Sequence, residues 1–395
     1  SMSFSIDDKD RELINELRSK LQQELKLVPE YDDDISLQRW LIGHDRNVDE
    51  IVPKLKYSLR TIHAFGIHKM DLSSLDRVNE ECYAVSEALQ YLPGTLVGFD
   101  KDGNALSIQM VGHIDTAGIL KSASLSKLLI RKIIESEGVQ CVLRAREKEE
   151  GRPLGVSVIC DLEGLSFFPD KHIVATFSIM TALLQDMFPD ILRKFIIINA
   201  PTVMTMIWNL VTPCLAKATT EKIEVLDKHW RDNLKLRVGE EVLFEHWGGT
   251  RQHESPFGFV GKGGKVPQSL RYDKTNDLPI SMLTSLKIGA GCVSFVPITL
   301  KGPTKGKRRL HWYWKLDSGD VSFSVLKAAE GNEDIAEDET DSILRPKFRL
   351  HTPYVPETGD VDATEPGVYK LVFDNSYASF WSKYIKYSYE IRNEE

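Results

Sequence analysis

The sequence predicts a helical lobe over 3–75, an α/β domain over 76–250 and an all-β sandwich over 276–395, with 251–275 as a linker. Three observations predict it. Leu13, Leu17, Leu21 and Leu25 recur every fourth position, the stripe of an amphipathic helix. A short β-branched run at Gly155–Asp161, a helical stretch at His172–Met187 and the run Phe195–Asn199 spell strand–helix–strand, the grammar of a parallel sheet. Beyond about residue 276 apolar and polar residues alternate with period two between turns, the pattern of a sandwich or jelly roll.

In the lobe, Val48, Ile51, Val52, Leu55, Leu59 and Ile62 form a second stripe, opened by Asn47 and Glu50 at capping-box spacing. Pro53 should kink that helix or delay its start, because its ring clashes with the preceding turn. Ser74–Leu89 reads as a third helix. Asp32, Asp33 and Asp34 read as a loop and helix start rather than a metal site.

In the α/β part, Asn104–Val111 alternates, with Leu106, Ile108 and Met110 on one face and Ser107 and Gln109 on the other. Lys127–Glu150 reads as a helix. Both strands of the β–α–β unit are apolar on both faces, as strands covered on both sides should be. In the sandwich, Leu310–Leu316, Val321–Val325, Tyr369–Phe373 and Ile385–Ile391 carry the alternation. Glu330–Asp341, with seven acids in twelve residues, reads as a mobile solvated loop.

Composition narrows the function. The 395 residues are 42% hydrophobic and 27% charged, too long for one core and too apolar for disorder. A net charge of −8 disfavours nucleic acid as a partner. Five cysteines with no C-x-x-C point to a reducing compartment, not to a disulfide framework or a cysteine zinc site. No secretory h-region follows Met2, and no run reaches membrane-spanning length.

Catalytic patterns are broken. Gly155-Val156-Ser157 starts like a nucleophile elbow, but Ile159 replaces its closing glycine. Gly258–Lys265 fails phosphate-loop spacing. Asp100–Asn104 starts like a calcium loop but reads as a tight turn, since Val111 falls where the last acid belongs. His113 and Asp115 form at most a polar pair at a strand end. No catalytic or metal-binding residues are expected, and the chain reads as a non-enzyme.

Several motifs in order resemble the CRAL-TRIO lipid-binding family. They are Asp161-Leu162-Glu163-Gly164-Leu165, Phe188-Pro189-Asp190, Phe195–Asn199 with Ala200-Pro201, Trp208–Pro213, Thr220–Leu226 and Trp247-Gly248-Gly249, with Leu37–Leu41 resembling the start of the helical lobe. Pro366–Tyr369, Phe373–Tyr377 and Trp312-Tyr313-Trp314 resemble a GOLD domain. That order is similar to supernatant-protein-factor-like lipid-transfer proteins.

The resemblance implies a cavity for one lipid or lipophile under a mobile gate helix, and no other cofactor. Its expected lining is Ile108, Met110, Val156, Val158, Cys160 and Phe177. The gate residues are Met204, Ile207, Trp208, Val211 and Leu215, with Trp208 at the membrane interface and Pro213 at a hinge. Asp190 and Lys222 match the pair that holds an inositol head, while Arg46 is shifted by one from the family's N-terminal basic pair. Val156 and Val158 stand where phosphatidylcholine-binding members carry hydroxyl residues. The implied partners are the lipid, a transient membrane surface and a protein reached through the GOLD-like domain. The implied location is cytoplasmic, with the Golgi or endosomes as candidate organelles. Lys301, Lys305, Lys307, Arg308 and Arg309 form a basic cluster suited to anionic headgroups. Transfer of a phospholipid such as phosphatidylinositol is the first functional expectation, and a lipid-sensing adaptor is the second.

Overall fold

A computed structural model describes residues 4–165, 169–261, 263–302 and 305–394. Its contacts divide the chain into two units. The first holds residues up to Leu59, His68–Ile119 and Leu129–Leu270. The second holds Arg60–Ile67, Leu120–Leu128 and the residues from Arg271 on.

The first unit starts with α1 (Asp8–Lys20), capped where the Asp7 carboxylate accepts from the Asp10 N–H. α2 (Gln22–Leu25) continues its stripe, and Ile14, Leu17, Leu21 and Leu25 are buried. The aspartate triplet caps and pairs: Asp33 accepts from the Ser36 N–H to start α3 (Asp34–Gly43), while Asp32 and Asp34 hold Arg18 at 2.5 and 2.7 Å. In α4 (Val48–Ala64) the helix begins before Pro53 and continues through it. Ile51, Leu55, Leu59 and Ile62 are all fully buried there, so packing of the stripe outweighs the lost hydrogen bond. Ser74 caps α5 (Leu75–Tyr83), which stops short of the expected Leu89.

The sheet of this unit comprises β1 (Gly94–Phe99), β2 (Ala105–Gln109), β3 (Val156–Asp161), β4 (Leu192–Ile198) and β5 (Ile223–Val225), in that spatial order. β1 and β2 form an antiparallel hairpin around the Asp100–Asn104 turn, and β2 to β5 run parallel. The helices between them are α6 (Thr116–Leu120), α7 (Leu125–Glu150), α8 (Lys171–Met187), α9 (Met204–Val211) and α10 (Lys217–Thr220), with α11 (Trp230–Val238) after β5. Buried Arg39 bonds Glu147 at 3.0 Å and the Leu154 carbonyl at 2.6 Å, tying α3 to α7. Within 251–275, expected as a linker, two valines instead enter the first unit's interior. Val260 joins the sheet's core, and Val266 is fully buried with its N–H on Asp115. Among so many glycines and lysines, two valines were too sparse to read as core.

The double glycine of the closing segment has a steric cause. Gly248 is left-handed at φ 84°, and a Cβ on Gly249 would lie 1.8 Å from the Leu243 carbonyl.

The second unit is built on eight antiparallel strands: β6 (Thr284–Ile288), β7 (Val293–Leu300), β8 (Lys307–Leu316), β9 (Val321–Lys327), β10 (Ser342–Leu350), β11 (Glu357–Asp362), β12 (Gly367–Asp374) and β13 (Lys383–Glu394). They form two sheets, ordered β10-β9-β12-β7 and β11-β8-β13-β6, which is jelly-roll topology. The alternating runs supply the core, where Trp314 meets Phe373 edge-on at 5.5 Å. Of the last run only Ile385 is fully buried, and Tyr389 is exposed.

Two charged features depart from expectation. The acidic segment is pinned rather than free. Lys370 on β12 is fully buried, and its ammonium donates to the Asn332 and Ile335 carbonyls and to Asp341 Oδ2, each at 2.9 Å. In the basic cluster, Arg308 is buried on the carbonyls of Ala363 and Lys301, and Arg309 pairs with Asp360.

Glu357 is the unit's pH-sensitive group. It is buried and accepts from the Ser126 N–H and hydroxyl at 3.0 and 2.6 Å. Burial pushes its carboxyl up to about 7 against an ordinary 4.5, outweighing those bonds and the nearby Lys127. The folded state therefore holds the proton more tightly than the unfolded chain. Its stabilising contribution is full below about pH 4.5 and is lost as pH rises to about 7, about 3 kcal/mol in all. Urea titrations at pH 5 and pH 8 should show this loss in the wild type relative to Glu357→Gln; parallel pH profiles would refute it.

Candidate functional site

β3 is the central strand, and its two faces differ. Ser157 and Ile159 are fully buried, while Val156 and Val158 on the other face are only half-buried. The parallel register extends that second face sideways. Ser107, Val158, Phe195 and Ile223 form one row, and Gln109, Cys160, Ile197 and Val225 the next. The floor is thus apolar across β3 to β5 and polar at β2, where Gln109 donates to Ser107 at 2.6 Å. Burial, with Asp161 beside it, pushes the Cys160 thiol up to about 12, so this side chain serves as an apolar wall.

Ile108 and Met110 do not share this floor. Ile108 aligns with Ile159 and Ile196, and both residues pack in the opposite core with Trp230, Leu234 and Trp247. The pleat explains the correction, since Ile108 and Val158 sit at positions of opposite parity in register. Both faces of β3 are apolar, so hydrophobicity alone could not choose between them. Ser157 lies on the core face, where its hydroxyl donates to Asp100 at 2.7 Å.

α8 starts at Asp170, whose carboxylate accepts from the N–H groups of His172 and Ile173. Its large apolar side chains Val174, Phe177, Met180, Leu183 and Leu184 are half-buried. α9 presents a stripe to the sheet. Met204 and Trp208 pack on Cys160, Leu162 and Ile197, Ile207 is buried, and Val211 and Leu215 are half-buried. Trp208, expected at a membrane interface, faces the floor instead. Met206 and Leu210 are the large apolar side chains on the exposed side of α9, 54% and 38% accessible. α9 ends at Val211, and Thr212–Cys214 with Pro213 forms a 3-10 turn. α8 holds that turn: Gln185 accepts from the Ala216 N–H at 2.6 Å, and Gln185 and Thr181 donate to the Cys214 carbonyl.

At the other end of β4, Asp190 takes a left-handed φ of 55° after buried Phe188 and Pro189. Arg193 donates to the Asp190 carbonyl at 2.7 Å and stands 3.7 Å from its carboxylate. Lys222, just before β5, lies within electrostatic reach of both. Burial lowers its proton affinity, Asp190 raises it and Arg193 lowers it again. Burial also lowers that of Arg193, with Asp190 opposing. No direct ion pair joins Asp190 to Lys222 among the described residues. Two partly desolvated cations thus share one carboxylate. Sequence reasoning missed Arg193, although an arginine three residues after the expected acid was a legible signal. Arg46 does not contribute, because its guanidinium is bidentate on buried Asp10 at 2.7 and 2.9 Å.

At the carboxyl end of β3, Asp161, Glu163 and His246 bring ligand atoms within 4.8 Å of one another, a spacing able to close on a divalent cation. Asp161 is fully buried; its Oδ1 accepts from Glu163 and Asn199, and its Oδ2 has no hydrogen-bond partner. The trio spans most of the domain's sequence, so spacing could not reveal it. Among the described residues no helix is long and apolar enough to cross a membrane.

The chain is similar to several known proteins. Residues 89–249 match the family model for the CRAL/TRIO domain. Protein ctg-1 of Caenorhabditis elegans is 27% identical over 397 residues, covering 97% of each chain. CRAL-TRIO domain-containing protein F28H7.8 of the same species is 26% identical over 58% of this chain and 56% of its own length. Protein real-time of Drosophila pseudoobscura pseudoobscura is 27% identical over 65% of this chain, which spans only 37% of that relative. The crystal structure of Sfh5 aligns with a TM-score of 0.46 and 15% identity, over 70% of this chain and 96% of that one. The similarity over residues 89–249 is therefore to the CRAL/TRIO domain, a module that binds lipophilic ligands.

Proposed function

We propose that this protein holds one phospholipid, its acyl chains over the Val156–Val158–Cys160 floor beneath α9, and carries it between membranes. One observation carries the reading. The central strand of a five-stranded sheet is sealed on one face, while Val156 and Val158 on the other stay partly accessible, although both faces are apolar. An apolar face left accessible forfeits burial worth about 1.5–3 kcal/mol per large side chain unless a ligand covers it. In this reading α8, with its half-buried Phe177, walls the space, and α9 covers it through Met204 and Trp208.

The head is anionic in this reading, with an inositol phospholipid as the leading candidate. Lys222 and Arg193 together exceed the charge of Asp190 in a partly dry site, and a phosphate would neutralise the excess. Asp190 would accept from head hydroxyls. The jelly roll is read as a GOLD-like module accompanying this carrier.

The test is organic extraction of purified protein with mass spectrometry, beside native mass spectrometry of the intact complex. One stoichiometric anionic phospholipid is expected. Lys222→Met should retain about tenfold less of it, the loss of one charge-assisted bond. No copurified lipid and no uptake from vesicles would sink the carrier reading. A neutral lipid, held equally by Lys222→Met, would remove only the assignment of the head.

A further inference from the structure

The turn between β12 and β13 carries the most exposed large hydrophobic side chains among the described residues. Phe380 is 86% accessible and Trp381 77%. Their neighbour Tyr384 is half exposed. Two adjacent aromatics held this far into water are unusual in a unit that buries Trp312, Trp314, Phe323, Phe348, Tyr369 and Phe373.

The turn that holds them is built. Asn375 is fully buried, and its side-chain amide donates to the carbonyls of Ile288, Gly289 and Trp381 at 3.3, 3.2 and 3.0 Å. The Ala378 N–H closes back on the Asn375 carbonyl. Trp381 is therefore anchored through its backbone while its ring stays outside. The pair is preorganised to insert, with little ordering entropy left to lose.

The adjoining sheet face is cationic. Tyr384 lies opposite Lys287, whose ammonium sits 5.8 Å from its ring, and Lys386 lies opposite Lys315. Tyr384 and Lys386 share the outer face, because Ile385 between them points into the core. Like charges directly opposite each other on a sheet repel. None of the ion pairs among the described residues uses Lys287, Lys315 or Lys386; the unit's paired cations are Arg309, Lys347, Arg349, Lys370 and Arg392. Of the acids beside the turn, Asp320 is committed to Tyr377 and Arg349, and Asp317, whose N–H meets the Tyr384 carbonyl, forms none of the ion pairs among the described residues.

We propose that this turn is a membrane-insertion tip, with Phe380 and Trp381 entering the interface of an anionic bilayer while Lys287, Lys315 and Lys386 meet its headgroups. A bilayer fits better than a protein groove. The exposed patch is two adjacent aromatics with Tyr384 and three lysines, far fewer than the roughly 20–30 residues a side of a stable protein interface, and such aromatics and cations are those that partition to lipid interfaces. The inference deepens the carrier reading by naming where the chain meets its membrane, yet it depends on a different unit and a different readout.

The experiment is sedimentation of the full chain with vesicles of phosphatidylcholine, with and without phosphatidylserine. The double variant Phe380→Ser, Trp381→Ser should bind both vesicle types about tenfold more weakly or worse, with unchanged melting temperature and unchanged lipid content by mass spectrometry. The triple variant Lys287→Gln, Lys315→Gln, Lys386→Gln should lose binding only to phosphatidylserine vesicles, and with it the salt dependence. Wild-type vesicle binding by the aromatic variant would overturn the proposal. So would a self-association, seen by analytical ultracentrifugation, that disappears in the same variant, because the tip would then be covered by a second copy. Lipid-free protein whose vesicle binding still needs the tip would sink the carrier reading and leave this one standing.

Discussion

Lys370→Met is expected to destabilise the jelly roll by about 3–5 kcal/mol, the cost of breaking a fully buried ion pair from one side. The substitution leaves Asp341 Oδ2 and the carbonyls of Asn332 and Ile335 without their shared donor, all three at 2.9 Å in the native state. Asp341 also receives the N–H groups of Ala329 and Asp338, so the lysine organises both ends of the acidic segment. A melting temperature lower by roughly 10 °C and faster proteolytic cleavage within Glu330–Asp341 are the expected readouts. The double variant Lys370→Met, Asp341→Leu should recover part of the loss, because removing both partners leaves no uncompensated charge. An unchanged melting temperature in Lys370→Met would mean the network contributes nothing net.

That network marks where sequence reading stops. The alternation of β12 placed Tyr369, Leu371 and Phe373 in the core correctly, because period two follows from the pleat alone. By the same period Lys370 lies on the face opposite Tyr369 and Leu371. What it could not supply was the loop folded over that face, a contact about thirty residues away in sequence. Seven acids in twelve residues look solvated by composition, and one buried cation reverses the outcome.

The α/β domain repeats the lesson. Its strand–helix–strand order was legible in Gly155–Asn199, because β-branched runs and a capped helical stretch are local signals. Which face of β3 stays open was not local. It depends on α11 and the 244–260 segment sealing one side while α9 packs on the other through Met204 and Trp208. Parity places Val156, Val158 and Cys160 on one face of β3, whereas Ile108 and Met110, grouped with them by hydrophobicity, pack on the other side. The direction of Trp208 was likewise hidden, since α9 is apolar on more than one side.

The two sides of α9 give the second large effect. If α9 gates the lipid, Trp208→Asp should abolish retention. It sets a carboxylate against Cys160, Leu162 and Ile197, costing the closed position at least about 4 kcal/mol, roughly a thousandfold in favour of opening. Purified Trp208→Asp should then carry no lipid, while the jelly roll and the core around Trp230 melt as before. Met206→Asp changes the exposed side. It should leave stability within about 0.5 kcal/mol and lipid content intact, because Met206 is 54% accessible. Transfer between vesicles should nevertheless slow by about tenfold, since the opening helix would meet hydrocarbon with a charge on its outer surface. The Gln185 contacts to the turn after α9 remain in both variants, so neither effect can be assigned to a broken hinge. Normal lipid retention by Trp208→Asp would refute gating by this helix. Normal transfer by Met206→Asp would mean that α9 opens without touching the bilayer, leaving membrane contact to other surfaces.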